Sequence, residues 1–332
     1  MNILVTGGAG YIGSFMVKRL LVDDNRVIVV DKVPRHVDPS AKPQDDSFFT
    51  QVQFAIGDLG DQKFLNALFA DNQFDAIIHF AGYIQVGESM QEAFKYFANN
   101  VSSSLQLIET ARRHNVKKIV FSSSAAVYGN PVQIPIPEDH PKNPESPYGE
   151  SKWMVERMLY WFAKVHNVRS VSLRYFNACG AALDGSMGET HNPETHIIPN
   201  AIRAVMESKP FTLFGDDYDT PDGTCQRDYI HVLDLAEAHV LALKKLETDE
   251  GAFAYNVGTG KGYSNKEVIE MVKKVSAKDV QVAVAPRRPG DPAKLIADPK
   301  KIMDELHFVP KYSDLETIVA SAWKWHRNKL ET

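Results

Sequence analysis

Cysteine is scarce in this sequence of 332 residues, and long apolar runs and basic segments are missing. The two cysteines, Cys179 and Cys225, form no C-x-x-C pair and are too few for a disulfide framework. No apolar run approaches the 18 residues of a membrane-spanning helix, and the formal net charge of −5 argues against a nucleic-acid partner. Because an apolar strand pattern begins at Asn2, we expect no signal peptide. We therefore expect a cytoplasmic protein that binds neither membranes nor nucleic acids, and we expect no metal ion.

The composition that is present is typical of a soluble globular protein. Apolar residues make up 44% of the chain and charged residues 24%. A chain of this length can bury a large core, and we expect two lobes.

Short apolar runs alternate with helical patterns through the first half of the chain. The predicted strands are residues 3–6, 26–31, 51–57, 75–80, 117–122 and 168–174. The predicted helices are residues 12–22, 63–70, 91–114 and 148–166. Such alternation indicates parallel strands joined by right-handed crossovers. The sequence therefore predicts an α/β protein with a Rossmann-type, doubly wound parallel sheet.

The alternation ends after residue 174, where a polar loop with several Gly, Ala and Asn residues begins. The later predicted elements are helices at 197–206, 232–245, 264–274 and 313–329, strands at 211–214 and 252–257, and polar loops at 177–195, 215–224 and 286–292. We expect residues 1–175, with returning segments at about 229–257, to form the domain that contains this sheet. Residues 176–228 and 258–332 are then expected to form a smaller, mixed α/β substrate-binding lobe.

A glycine-rich turn lies between the first strand and the first helix. Gly7, Gly8, Gly10 and Gly13 satisfy both G-x-G-x-x-G and G-x-x-G-x-x-G. Glycines here allow a tight turn and close approach of the backbone to a pyrophosphate at the helix N terminus. Asp31 ends the second strand, 18 residues after Gly13.

The carboxylate of Asp31 indicates which dinucleotide the turn binds. It can accept hydrogen bonds from the adenosine ribose hydroxyls and would repel a 2′-phosphate. We therefore expect NAD as the cofactor. Lys32 follows immediately and keeps NADP open as the alternative.

Three further segments are expected near the cofactor, because open α/β sheets bind ligands at the carboxyl ends of their strands. Asp58 follows the third strand and could accept from an adenine amino group, and residues 80–82 (Phe-Ala-Gly) let the backbone pass close to a ligand. Either segment could be merely a turn. Asn99 is a poor helix former within a helical pattern, and we expect it to hold a strand-end backbone group.

The segment SPYGESK (146–152) opens a predicted helix and carries Tyr148 and Lys152 four residues apart. Residues at this spacing share a helix face. At roughly 4 Å and an effective dielectric of ~20, an ammonium attracts a phenolate by ~4 kcal/mol. That attraction would lower the phenol pKa from about 10 toward 7, where it can act as a general base. The heptad alone leaves a solvated helix start as the alternative.

A hydroxyl group is also expected opposite this helix, because serines 122–124 end the fifth strand. Spacing alone does not decide which of the three serines faces Tyr148.

The motifs TGGAGYIG, FSSSAAVYG and SPYGESK together resemble the extended short-chain dehydrogenase/reductase family. More narrowly, GDL, IHFAGYIQVGES, LRYFN, GDDYDTPDGTCQRDYIHVLDLA, YNVGTG and RRPGDPAKLIAD resemble its UDP-glucose 4-epimerases, nearly end to end. The resemblance implies NAD-dependent interconversion of UDP-glucose and UDP-galactose through transient oxidation at C4, and a homodimer. The alternative is a 4-epimerase acting also or mainly on UDP-N-acetylated sugars or another UDP-sugar.

The resemblance also implies a role for each matched residue. Tyr148 would be the base, Lys152 would lower its pKa and bind the nicotinamide ribose, and Ser124 would bond the sugar's 4-hydroxyl. NAD contacts are implied for Gly7, Gly10, Tyr11, Ile12, Gly13, Asp31, Lys32, Asp58, Leu59, Phe80, Ala81, Gly82, Asn99, Ser122, Tyr148, Lys152 and Tyr175. UDP-sugar contacts are implied for Ser124, Tyr148, Asn177, His196, Phe214, Arg227, Arg288, Asp291 and Leu295.

Three positions depart from the family's pattern. Ile84 stands where a lysine often reaches the cofactor, so another contact is expected there. An asparagine of the family's uracil or sugar pocket is replaced in this chain around His196. Leu295 stands where a tyrosine or a small residue commonly borders the sugar's 2-substituent.

Two rival functions are disfavoured by particular residues. A 4,6-dehydratase needs a carboxylate pair near Ser124, where this chain has Ala125 and Ala126. A non-catalytic NAD-sensing regulator has no need of Ser124, Tyr148 and Lys152 together.

Overall fold

The computed structural model of the chain describes residues 1–32, 50–288 and 291–331, with side chains of the last helix described as far as Lys329. Pro289 and Gly290, within the predicted loop 286–292, lie outside the described residues. In this part of the chain, no helix combines the length and the apolar character that crossing a membrane requires.

Strands and helices are numbered in chain order. The described strands are β1 (Asn2–Thr6), β2 (Arg26–Asp31), β3 (Gln53–Ile56), β4 (Ala76–His79), β5 (Lys118–Ser124), β6 (Arg169–Tyr175), β7 (Asn177–Cys179), β8 (Phe211–Phe214), β9 (Gln226–His231), β10 (Ala252–Val257), β11 (Gly262–Ser264), β12 (Val282–Ala285) and β13 (Lys294–Leu295). The described helices are α1 (Tyr11–Val22), α2 (Gln62–Asp71), α3 (Val86–Ser89), α4 (Ala93–Tyr96), α5 (Ser103–Arg113), α6 (Pro147–His166), α7 (Ile197–Glu207), α8 (Val232–Thr248), α9 (Asn265–Ser276), α10 (Lys300–Leu306) and α11 (Leu315–Glu331).

Seven parallel strands form the central sheet, in the order β10-β6-β5-β4-β1-β2-β3. The chain reverses direction across the sheet between β1 and β4, which is where doubly wound sheets form their ligand crevice. The predicted fold class is confirmed. The predicted return of residues 252–257 to this sheet is also confirmed, because β10 pairs with β6.

Alternate residues of each central strand face two separate apolar layers. Ile3 and Val5 pack with α1 and α8, whereas Leu4 between them packs with α2, α5 and α6. Burial on both faces explains why these strands are continuous apolar runs.

A second lobe follows the sheet and is organised around β9. This strand pairs with β7, β11 and β13, and a separate parallel pair joins β8 to β12. Helices α7, α9 and α11 cover these strands with an apolar core of their own. The sequence analysis did not predict β9 or the short strands around it, because they are too short to show a clear period.

The predicted helix 91–114 is interrupted by a change in its winding. A π-helical segment, Phe97–Ser102, joins α4 to α5. The Asn100 side chain in this segment is directed at the end of β4 instead of solvent, since it bonds both backbone groups of Tyr83. Such π segments often occur at functional sites.

Candidate active site

The glycine turn is built as a cradle for a ligand. Gly7 has φ +71°, and a Cβ on Gly13 would lie 2.2 Å from the Gly7 carbonyl oxygen, so larger residues would break the turn. Gly10 is the N-cap of α1, and no described side chain caps that helix end. The first-turn N–H groups therefore face an open position beside Tyr11 and Ile12, which suits the phosphates of a dinucleotide.

Asp31 and its neighbours form a charged group at the end of β2. The Asp31 carboxylate accepts from Ala9 N at 3.2 Å and from Lys32 N at 2.8 Å. The Lys32 ammonium lies 3.1 Å from an Asp58 oxygen and donates to Asn99 Oδ1 at 2.8 Å. These contacts hold Lys32 on the Asp58 side, which agrees with NAD in preference to NADP.

The segment after β4 passes directly over the glycine turn. Phe80 N and Ala81 N both donate to Thr6 O, and a Cβ on Gly7 would lie 2.7 Å from Ala81 N. The predicted role of Asn99 in holding a strand-end backbone group is wrong, because the neighbouring Asn100 holds Tyr83 while Asn99 bonds Lys32.

Two lysines lie near the ring of Tyr83, which precedes Ile84, the position of the missing lysine. The Lys95 ammonium lies 4.2 Å from the centre of the Tyr83 ring, and the Lys32 ammonium lies 5.8 Å from it. Lys95 is also paired with Glu88 at 2.6 Å. Lys95 was not identified in the sequence, because the helix that carries it meets Tyr83 only in the fold, whereas Lys32 was already a predicted NAD contact.

The three serines at the end of β5 have different partners. Ser123 donates to Glu156 Oε1 at 2.5 Å, and Ser122 bonds the hydroxyl of Tyr175. Ser124 bonds the hydroxyl of Tyr148. The hydrogen bond between Ser124 and Tyr148 favours Ser124 among the three serines that spacing left open.

Helix α6 presents Tyr148 and Lys152 to the end of β5. Ser146 caps the helix by accepting from Gly149 N at 3.1 Å, and Pro147 follows in the first turn. The Lys152 ammonium donates to the Ser122 carbonyl at 2.8 Å and lies 5.8 Å from the centre of the Tyr148 ring.

The prediction that Lys152 lowers the pKa of Tyr148 is wrong for the protein without its ligands. Burial raises the pKa of Tyr148 above its ordinary value, and the hydrogen bond with Ser124 only partly opposes this. Burial also lowers the pKa of Lys152 to about 8. The physical reason is that Lys152 points at a backbone carbonyl instead of at the phenol.

A buried polar network supports this end of the sheet. Arg174 pairs with Glu156 at 2.6 Å and donates to the hydroxyl of Tyr128 at 2.8 Å, and Tyr128 in turn donates to Asn256. The network links β5, β6, β10 and α6 behind Ser124. The sequence analysis did not identify these residues, which lie far apart along the chain.

Two polar residues of the second lobe, Arg227 and Asp291, are brought together by strand pairing. Arg227 donates to Pro292 O at 2.8 Å and lies 3.3 Å from Asp291 Oδ1. Asn177 donates to Asp228 O at 2.9 Å. The buried Asp228 carboxylate accepts from the backbone N–H groups of three residues, Thr259, Gly260 and Ala297, and fixes the turn after β10.

Apolar surfaces complete the second lobe's side of the crevice. The Arg288 guanidinium lies 4.1 Å from the centre of the Phe214 ring, a cation–π arrangement at which a flat base could stack. Leu295 packs against the apolar cluster that contains Ala125 and Tyr128.

His196 lies in a group of acidic residues at the start of α7. Its Nδ1 is 2.6 Å from Glu189 Oε1 and 3.1 Å from Glu194 Oε1. Burial alone would lower the pKa of His196, but these carboxylates outweigh it and raise that pKa to about 10. Glu189, Glu194 and His191 were not identified in the sequence.

The remaining predicted cofactor residues lie around the same edge of the sheet. Tyr11 donates to Gly180 O at 2.6 Å, and the Tyr175 hydroxyl lies 2.5 Å from His239 Nε2. Leu59 is buried with the α2 and α5 layer, and Phe80 lies 4.8 Å from the His239 ring. These residues, with the glycine cradle, fit an extended dinucleotide.

Comparisons with known proteins give consistent matches over nearly the whole chain. Residues 3–258 match the model of the NAD dependent epimerase/dehydratase family. The chain is 46% identical to a UDP-glucose 4-epimerase of Halalkalibacterium halodurans, covering 98% of this chain and 96% of that protein. It is 44% identical to one of Lactobacillus helveticus, covering 99% and 98%. A solved UDP-glucose 4-epimerase of Bifidobacterium longum, in complex with NAD+ and UDP, is 38% identical with a TM-score of 0.92, covering 99% of both chains.

Proposed function

The chain belongs to the NAD dependent epimerase/dehydratase family, and we propose that it interconverts UDP-glucose and UDP-galactose by inverting C4 of the sugar. One observation supports this most strongly. Ser124, Tyr148 and Lys152 meet at the carboxyl end of β5, on the same edge of the sheet as the glycine cradle that follows β1. A hydroxyl, a phenol and an ammonium there match what proton removal from a sugar alcohol requires.

Tyr148 is the proposed proton acceptor. Its oxygen takes the proton of the sugar's 4-hydroxyl, and the electron pair of the O–H bond forms the carbonyl as the C4–H bond breaks. NAD+ held by the glycine cradle and Asp31 would supply the acceptor for the hydride from C4 and the donor that returns it to the opposite face of the keto sugar. Ser124 bonds the reacting oxygen and keeps it close to Tyr148.

Lys152 is proposed to act on Tyr148 through the cofactor site. In the protein without ligands its ammonium is held by the Ser122 carbonyl. A bound ribose offers hydroxyl groups at the same position, and an ammonium that bonds them stays close to the phenol. Its positive charge then favours the phenolate, which burial alone disfavours.

The second lobe is proposed to hold the UDP group while leaving the sugar free to turn over. Arg227 and Arg288 provide guanidinium groups that suit a diphosphate, and Phe214 provides a flat apolar surface for the uracil. Asn177, His196, Asp291 and Leu295 are the further proposed contacts. We also propose that the residues predicted from the sequence to contact NAD do so, with Asn99 acting through Lys32. The division of the chain into an NAD-binding domain and a UDP-sugar-binding lobe is proposed as well.

We also propose a homodimer formed through α5 and α6. Helix α6 exposes large apolar side chains, including Trp161 at 56% and Val165 at 63% exposure, and α5 exposes Leu105 at 43%. Such surfaces on adjacent helices suit a four-helix contact between two copies. Size-exclusion chromatography with light scattering should give twice the chain mass, and a monomer at micromolar concentration would contradict this.

The test of the proposed function is a substrate panel with cofactor identification. Purified protein should interconvert UDP-glucose and UDP-galactose, and protein denatured after purification should release NAD. UDP-N-acetylglucosamine and UDP-arabinose complete the panel, because they decide which sugar is preferred. Absence of turnover with every UDP-hexose, in protein that releases NAD, would contradict the proposal.

A further inference from the structure

Two histidines and two glutamates form a compact cluster just before α7. Glu189, His191, Glu194 and His196 each contribute one ligand-type atom, and these four atoms lie within 4.8 Å of one another. We propose that this cluster, here called the Glu/His cluster, binds a divalent transition-metal ion, with Zn²⁺ as the preferred ion.

An orphaned oxygen supports the proposal independently of the clustering. The Glu194 side chain is only 1% exposed, and its Oε2 has no hydrogen-bond partner among the described residues. This oxygen lies 3.9 Å from His191 Nδ1. A buried carboxylate oxygen without a partner is costly, and a cation between it and the imidazole would satisfy it.

The ligand atoms of the Glu/His cluster indicate which metal ion it would bind. Two imidazole nitrogens and two carboxylate oxygens suit Zn²⁺ in tetrahedral geometry, whereas Ca²⁺ and Mg²⁺ prefer oxygen ligands alone. His191 Nδ1 and His196 Nδ1 lie 3.0 Å and 2.6 Å from Glu189 Oε1, which are hydrogen-bond distances. Ligands bound at about 2.0–2.1 Å to one tetrahedral ion lie roughly 3.3 Å apart. A small outward rotation of the side chains, with loss of the shared protons, therefore makes room for the ion.

The surroundings hold the Glu/His cluster in place. Trp325 of α11 donates its indole N–H to Glu189 O at 3.1 Å. The His191 ring lies edge-on to Tyr11 of the glycine turn, with 6.3 Å between ring centres. An ion here would attach the segment before α7 to both lobes. Metal binding through Nδ1 also leaves Nε2 of the half-exposed His196 as a hydrogen-bond donor.

Metal content and thermal stability test the proposal directly. Protein purified without a histidine tag is stripped with a chelator, dialysed and titrated with Zn²⁺. Bound metal is then measured by mass spectrometry. We expect about one zinc per chain, and a higher melting temperature for the zinc-loaded protein, since the ion binds only the folded chain.

Three variants locate the site. His191→Ala and Glu194→Gln should each weaken zinc binding by at least about tenfold and remove the thermal shift. His166→Ala, at the exposed end of α6, serves as the matched control and should bind zinc like the wild type. Glu194→Gln keeps the shape of the side chain, so circular dichroism should show an intact fold. Failure of the stripped wild-type protein to bind zinc, or equal binding by Glu194→Gln, would overturn the proposal.

Discussion

The carboxyl edge of the central sheet and the polar loops of the second lobe both contribute to the candidate active site, but they are built differently. At the sheet edge, Ser124 ends a strand, and Tyr148 and Lys152 lie one turn apart on a single helix. In the second lobe, Arg227 reaches Asp291 across 64 residues of sequence, and Asp228 reaches Ala297 across 69.

This difference in construction suggests that the sheet edge carries out the chemical step and that the second lobe binds the substrate. Residues at the ends of regular elements are held rigidly, as proton transfer requires. In the second lobe, residues of the short strand β9 bond residues of the loops around it, and we expect such contacts to adapt, as a sugar that must turn over requires. Changes at the sheet edge should therefore affect kcat, and changes in the second lobe should affect KM or stability.

Replacing Lys152 tests the chemistry side of this comparison and should have a large effect. Lys152→Met should lower kcat by roughly 10³-fold, because the phenolate of Tyr148 loses its nearby cation. In the NAD-bound protein, where Lys152 is proposed to lie close to the phenol, removing that charge should raise the pKa of Tyr148, so the acid limb of the kcat/KM profile should move to higher pH. Steady-state kinetics across pH measures both, with Lys63→Met, exposed on α2, as the control. If the acid limb of the kcat/KM profile did not move, Lys152 would not act on Tyr148.

Removing the Asp228 carboxylate tests whether one buried group holds the second lobe together. Asp228→Ala should lower the free energy of unfolding by about 3 kcal/mol, because three backbone N–H groups, the buried one of Ala297 and the part-buried ones of Thr259 and Gly260, lose their acceptor. Denaturant unfolding measures this. Asp304→Ala, an exposed aspartate on α10, should change it by less than about 0.5 kcal/mol. Equal effects of the two changes would contradict the role of Asp228.

The conservative change Arg227→Lys tests binding without loss of charge. A lysine cannot hold Pro292 O and Asp291 together as the guanidinium does. KM for UDP-galactose should rise about tenfold, equivalent to ~1.4 kcal/mol, with kcat nearly unchanged. Arg113→Lys on α5 is the matched control, and a fall in kcat instead of a rise in KM would break the comparison.

A change at Leu295 should have the smallest effect and concerns which sugar is accepted. Leu295→Tyr should reduce kcat/KM for UDP-N-acetylglucosamine about fivefold more than for UDP-galactose, a penalty of ~1 kcal/mol for the added bulk. Leu295→Met keeps the volume and should leave the ratio unchanged. Equal losses on both substrates would exclude Leu295 from the sugar's 2-substituent pocket.

The same contrast explains what could be predicted from the sequence. The parallel sheet, the glycine turn and the pair Tyr148 and Lys152 are visible because strand and helix periods place them locally. The pKa of Tyr148 was predicted in the wrong direction, because burial and the Ser122 carbonyl are properties of the fold. Asn99 was confused with Asn100, since a π segment changes which side chain reaches Tyr83.

In the second lobe, β9 and its partner strands were not predicted, although they align Arg227 with Leu295. Short strands of two to six residues carry too little periodic signal for such pairing to be inferred. The Glu/His cluster was overlooked for a different reason. Its four residues are close in sequence, but only the loop's conformation turns their side chains toward one another.

The proposal that the sheet edge carries out the proton transfer is tested most directly by Tyr148→Phe. The measurement is turnover of saturating UDP-galactose to UDP-glucose, together with UDP affinity by calorimetry. We expect kcat to fall by roughly 10³-fold or more while UDP affinity and the fold are retained, because the phenylalanine keeps the ring and lacks the base. Wild-type turnover in a folded Tyr148→Phe protein would contradict the assignment of Tyr148 as the base.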